Sequence, residues 1–159
     1  MKEIVFVCTA NICRSPWAEY VCREALAKAG LTDIRVYSRG VAAVHGFGAP
    51  AESLKLASER QLDLSQHRSR LFDPDESRHA SLILVMSHDH RQQVLDELGG
   101  GGPPVYLLNE YAPGPNNPGW VPDPYGAGPW AYRSAFQFID VCVAGLIEGL
   151  ARGRWAPPT

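Results

Sequence analysis

Short apolar runs alternating with stretches of helical period constrain this chain more than any other feature. Glu3 to Cys8, Ile34 to Ser38, Ser81 to Met86 and Val105 to Leu108 read as strands, the first and third apolar almost throughout. Runs of this kind suit strands covered on both faces of a parallel sheet. After the first run, Ser15 is placed as an N-cap with Pro16 at the first helical position. The helix runs to about Ala29, and Gly30 ends it. Its apolar face is Ala18, Val21, Cys22, Ala25, Leu26 and Ala29, with Glu19–Arg23 and Glu24–Lys28 as exposed pairs four residues apart. Ala51 to Gln61 is helical, Leu64 to Leu71 holds a short helix after Ser65, and His88 to Leu98 is a polar helix stopped by Gly99 to Gly102. The last helix, about Ala131 to Ala151, carries Tyr132, Phe136, Ile139, Val143, Leu146 and Leu150 on one stripe. Strand–helix alternation implies βαβ units with helices on both faces of the sheet. Ligands of such sheets bind at the carboxyl ends of the strands.

The 159 residues fit a single domain, residues 1–159, large enough to bury a core without staples. A net charge of −2 argues against a broad basic face for nucleic acid or an anionic membrane. The opening apolar run is too short for a signal peptide, and nothing approaches the ~20 apolar residues that span a bilayer. Four cysteines, Cys8, Cys13, Cys22 and Cys142, show no Cys-x-x-Cys spacing, so structural zinc is not expected. Reduced thiols and a cytoplasmic location follow, with Cys22 and Cys142 as small buried hydrophobes. His88-Asp89-His90 does not suggest a metal site, because residues two apart do not share a helix face.

One segment has neither helix nor strand period. Asn109 to Pro129 contains Pro113, Pro115, Pro118, Pro122, Pro124 and Pro129. A loop beyond ~12–15 residues is usually functional or disordered, and proline makes this one stiff. It is suited to holding a side chain in place. Trp120 and Trp130 flank the Asp123-Pro124-Tyr125 stretch near the loop's end and read as core packing.

The chemistry concentrates in Cys8-Thr9-Ala10-Asn11-Ile12-Cys13-Arg14-Ser15-Pro16, between the end of a strand and the start of a helix. Backbone N–H groups of such a loop and the helix N-terminus form a nest for an anion. Arg14 supplies a planar fork for two oxygens of one phosphate. The same positive surroundings favour the thiolate of Cys8, the form that attacks phosphorus.

Val7 to Pro16 resembles the signature of the low-molecular-weight protein tyrosine phosphatase family, and Asp123-Pro124-Tyr125 resembles that family's general-acid loop. The similarity extends over essentially the whole chain. It implies an α/β three-layer sandwich with a four-stranded parallel sheet, flavodoxin-like and of the phosphotyrosine protein phosphatase I type. It also implies two-step hydrolysis of phosphotyrosine in a protein substrate through a cysteinyl-phosphate, with no cofactor and no metal, by a monomer or weak dimer. By the same resemblance Cys8 is the nucleophile, Arg14 the phosphate clamp and Asp123 the general acid. Thr9, Ala10, Asn11, Ile12, Cys13 and Ser15 complete the phosphate-binding loop, and the Ser15 hydroxyl bonds the thiolate. Ser38 and His67 support Asn11, and Tyr125 walls the substrate ring. Cys13 stands where a neighbouring cysteine forms a reversible disulfide with the nucleophile.

The chain departs from the family pattern in places. Ala10 stands where many members have Gly, so that position must avoid backbone angles costly for Ala. The loop Val41 to Pro50 lacks the Trp or Tyr that often forms the opposite wall; Phe47 or His45 is the substitute. Related activities are weighed on the same residues. An arsenate reductase needs two further cysteines, which Ser81 to Leu98 lacks. A protein arginine phosphatase tends to have Thr where Ile12 stands, and Ile12 suits an aromatic ring better. A phospho-carrier would not need Asp123, and a phosphotyrosine-binding module would not need Cys8.

Overall fold

The computed structural model describes residues 1–159. Strands β1 (Lys2–Cys8), β2 (Ile34–Gly40), β3 (Leu82–Val85) and β4 (Val105–Leu107) alternate with helices α1 (Arg14–Lys28), α2 (Ala51–Glu59), α3 (Pro74–Ser77), α4 (His88–Leu98) and α5 (Pro129–Ala151). The sheet is parallel throughout, in the order β2-β1-β3-β4. The chain steps from β1 to one side, then crosses over to the other, so the switch point lies at the carboxyl end of β1.

Side chains alternate across the sheet and build two cores. Ile4, Phe6, Leu82 and Leu84 face α1 and α5, while Val5, Val7, Ile83 and Val85 face Val94 and Leu98 of α4. All eight strand residues are fully buried, and each contributes ~1.5–3 kcal/mol relative to exposure. Trp17 of α1 stacks on Phe136 of α5 with ring centroids 4.3 Å apart, tying the two helices of the first layer together.

Helix α5 is 23 residues long and apolar enough by composition to cross a membrane, contrary to the sequence expectation that no segment comes near. Its stripe from Tyr132 to Leu150 is instead buried against the sheet layer. Several other expectations are corrected. Helix α1 starts at Arg14 with Cys13 at its cap, and Ser15 lies inside, its hydroxyl turned toward the loop rather than capping. Ala29 is exposed, because the buried stripe ends at Leu26.

Glu19 is not a solvated pair member. It lies on the buried face of α1, still in contact with Arg23. No helix follows Ser65; the chain makes a single turn at Ser65–Gln66 and then runs extended to pair with Gly40 and the 46–47 backbone, and the short helix comes later as α3, capped by Asp73. Trp120 and Trp130 are 42% and 79% exposed, not core. Trp130 precedes the buried stripe of α5 by two positions, which turns it to the outer side, beside Pro122 and Pro124.

Candidate active site

Cys8 ends β1 opposite Gly40 of β2. The next five residues turn back over the sheet edge before Arg14 opens α1. That reversal needs a left-handed residue, and Asn11 supplies it at φ 58°, a region Asn tolerates better than most side chains. Ala10 stays out of that region, which resolves the departure from Gly. A strained residue persists only when its surroundings fix it, and Asn11 is fully buried with four partners. Its Nδ2 donates to Ser15 Oγ at 2.8 Å and to Ser38 Oγ at 2.9 Å. Its Oδ1 accepts from the Arg70 amide at 2.9 Å, and its carbonyl accepts from His67 Nε2 at 2.7 Å. Burial lowers the His67 pKa, which favours a neutral ring whose N–H serves that bond. Ser38 Oγ in turn donates to Glu19 Oε1 at 2.6 Å.

Gly40 carries the loop from below. A Cβ there would lie 2.5 Å from the Thr9 carbonyl oxygen and 2.8 Å from the Asn11 amide nitrogen. Gly40→Ala is therefore expected to push the loop off its position. The expected result is up to ~10²-fold lower kcat/KM with a stability loss of about 1–3 kcal/mol. Steady-state kinetics beside denaturant melts would check it, and unchanged kinetics would contradict this close approach.

The side chains converge above the loop. Cys8 Sγ lies 2.9 Å from Ser15 Oγ, a hydroxyl able to donate to a thiolate. Arg14 is 3% exposed. Its Nη1 donates to the Val121 carbonyl at 2.9 Å, and its Nη2 donates to Thr9 Oγ1 at 3.4 Å and lies 3.7 Å from Asp123 Oδ2. The Val121 amide donates to the Met86 carbonyl at 2.8 Å, fastening the proline-rich loop to the end of β3. Two residues on, Asp123 is half-exposed, and its Oδ1 accepts from the Tyr125 amide at 3.1 Å. Cys8, Thr9, Ala10, Ile12, Cys13, Arg14, Asp123 and Tyr125 together line a cavity of about 280 Å³.

Phe47 is not among them. Its amide donates to Ser69 Oγ and the ring is 58% exposed, so one side of the cavity is open where an aromatic wall was expected. His45 lines a separate groove with Arg39 and Arg70. Cys13 is buried, with Sγ 3.6 Å from the Tyr132 hydroxyl, and burial pushes its thiol up to about 12. It therefore stays protonated at neutral pH.

Two residues near the site were missed in the sequence. Glu19 occupies the helix stripe between Ser15 and Cys22, so spacing along α1 pointed to it. His90 reaches Thr9 from the start of α4, 81 residues away in sequence, with Nε2 2.8 Å from Thr9 Oγ1. Only the pairing of β1 with β3 brings them together. Burial, then Arg14, pushes the His90 pKa down to about 4. The unfolded chain takes up this proton near pH 6.5, whereas the folded protein resists it until about pH 4. This contribution to stability is full above pH ~6.5 and falls as the pH drops toward 4. The thermal midpoint is expected to fall over that window, and to fall less in His90→Phe; equal pH profiles for the two proteins would contradict the assignment.

The sequence matches the family described as low molecular weight phosphotyrosine protein phosphatase over residues 3–155. It is 35% identical to the low molecular weight protein-tyrosine-phosphatase PtpB of Staphylococcus haemolyticus, covering 91% of this chain and 96% of the relative. It is 30% identical to the protein-arginine-phosphatase of Bacillus subtilis, over 96% and 99%. The structure of YwlE arginine phosphatase of B. subtilis, in a mutant whose active-site serine is phosphorylated, superposes with a TM-score of 0.87 at 30% identity, covering 96% of this chain and 97% of that one.

Proposed function

This chain belongs to the low molecular weight phosphotyrosine protein phosphatase family, a family of phosphoric monoester hydrolases, and from that premise we propose that it dephosphorylates phosphotyrosine in proteins through a cysteinyl-phosphate on Cys8. The Cys8 thiolate attacks phosphorus, the P–O bond to the ring oxygen breaks, and Asp123 gives its proton to the departing phenolate. Water then attacks the phosphoryl group, Asp123 takes a proton from it, and the S–P bond breaks to release inorganic phosphate and the free thiolate. The loop amides and the Arg14 fork balance the charge on the phosphoryl oxygens in both steps. Asn11, Ser38 and His67 hold the loop in shape, and Ser15 stabilises the thiolate.

The observation that carries this reading is the cavity over the Cys8–Arg14 loop, walled by Ile12 and Tyr125 and holding Asp123. Apolar walls on a phosphate cradle suit an aryl phosphate. The similarity to arginine phosphatases supports a second substrate, phosphoarginine. Against it, the one carboxylate lining the cavity lies near Arg14 rather than being free to receive a guanidinium. Rates on phosphotyrosine, phosphoserine and phosphoarginine peptides, measured side by side, separate these. Phosphotyrosine is expected to give the highest kcat/KM; faster cleavage of phosphoarginine would overturn the substrate assignment. A cytoplasmic location and a monomeric or weakly dimeric state belong to the same proposal. A Cys8–Cys13 disulfide would require Cys13 to lose a proton that burial holds firmly.

A further inference from the structure

The resemblance places Thr9 in the phosphate-binding loop without a role for its side chain and leaves His90 out altogether: we propose that the Thr9 hydroxyl is a directed hydrogen-bond donor to the phosphoryl group, aimed by His90 as a positioning residue. The inference rests on the reading of the Cys8 loop as a phosphate cradle. Thr9 Oγ1 has two neighbours, Arg14 Nη2 at 3.4 Å and His90 Nε2 at 2.8 Å. A guanidinium only donates, so one lone pair of the Thr9 oxygen faces Arg14.

The second contact depends on where His90 keeps its proton. His90 is 5% exposed, and its Nδ1 is buried with no partner in the protein. The charged groups acting on the ring are Arg14, Asp89 and Asp123. Burial and the Arg14 charge outweigh the two carboxylates, and the ring is neutral at pH 7. A neutral imidazole carries one proton. On Nδ1 that proton would be a buried N–H with nothing to receive it, a situation rarer in folded proteins than an unpaired acceptor. On Nε2 it is donated to Thr9. The single proton thus sits on Nε2.

Thr9 Oγ1 then accepts from both sides, and its own hydrogen must point away from both. Thr9 lines the cavity and is itself exposed, so that hydrogen is available to an anion bound over Cys8. The hydroxyl adds a donor without adding charge. In the apolar-walled cavity its bond to a phosphoryl oxygen is charge-assisted.

The test uses the full chain and inorganic phosphate. Phosphate protection of Cys8 against alkylation is measured with kcat and KM on a small aryl phosphate. Thr9→Val keeps the shape of the side chain and removes the hydroxyl. It is expected to weaken phosphate protection and lower kcat/KM by about 10-fold, and Thr9→Ser is expected to restore most of both. His90→Phe is expected to reproduce the Thr9→Val loss, and the double variant to be no worse than either single one. Wild-type phosphate protection in Thr9→Val, or losses that add in the double variant, would overturn the proposal. Because Thr9 is on an exposed loop, its arm stands even if His90→Phe does not fold. If phosphate fails to protect Cys8 in the wild-type protein, the cradle reading itself falls, a result distinct from a selective failure of Thr9→Val.

Discussion

Cys8→Ser is expected to abolish turnover of aryl phosphates while leaving the fold intact. The substitution changes one atom at the carboxyl end of β1, where the side chain is 3% exposed and touches Ser15. A thiol gives up its proton far more readily than a hydroxyl, and its sulfur is the stronger nucleophile toward phosphorus. A serine in the same place needs a base to remove its proton. None is free in this step: Asp123 must carry its own proton for the departing phenolate, His67 bonds the Asn11 carbonyl, and His90 bonds Thr9. Turnover, rather than capture of a phosphoryl group, is the quantity to measure, with unchanged thermal melting as the control. A Ser variant that turns over near the wild-type rate would remove Cys8 from the chemistry.

Asp123→Ala is expected to slow hydrolysis by ~10²–10⁴-fold. A phenolate leaves poorly without a proton, and Asp123 is the only carboxylate lining the cavity. The Tyr125 amide and the nearby Arg14 fix the orientation of its carboxyl group. The signature lies in the leaving group as well as in the rate. In kcat/KM, which reports the step that expels the phenolate, the loss should be small with a nitrophenolate, stable without a proton, and largest with an unsubstituted phenol. A variant equal to wild type on poor leaving groups would rule out proton donation from Asp123.

The sheet and its helices were legible because their signals are local. The run ending in Cys8 has no polar side chain from Ile4 onward, and His88 to Leu98 begins and ends where its Ser and Gly caps place it. The Cys8–Arg14 loop was legible for the same reason, being one contiguous stretch. What escaped depends on elements meeting. Ser65 to Leu71 looks helical alone, but its backbone pairs with Gly40 and Phe47. Glu19 and Arg23 look like a surface pair until Ser38 is seen donating to Glu19 from β2. His90 drew notice only within His88-Asp89-His90, which says nothing of Thr9; strand adjacency across the switch point makes it a neighbour of that residue. Both tryptophans were misplaced because residue type stood in for position: Trp130 is on the outer side of α5, and Trp120 is on the half-exposed loop before it.

Val121 has a consequence for how such a chain tolerates change. Its amide is held by the carbonyl of Met86, the first residue past β3, and its carbonyl by the guanidinium, only two positions ahead of the carboxylate. Whatever happens between Ala112 and Trp120 is absorbed upstream of that knot. Insertions or deletions there are expected to reshape the groove that Asn116 and Pro118 line on the far side of Asp123, while the reacting groups keep their spacing. Recognition and reactivity are separable along a single stretch of backbone, with one valine peptide as the divide.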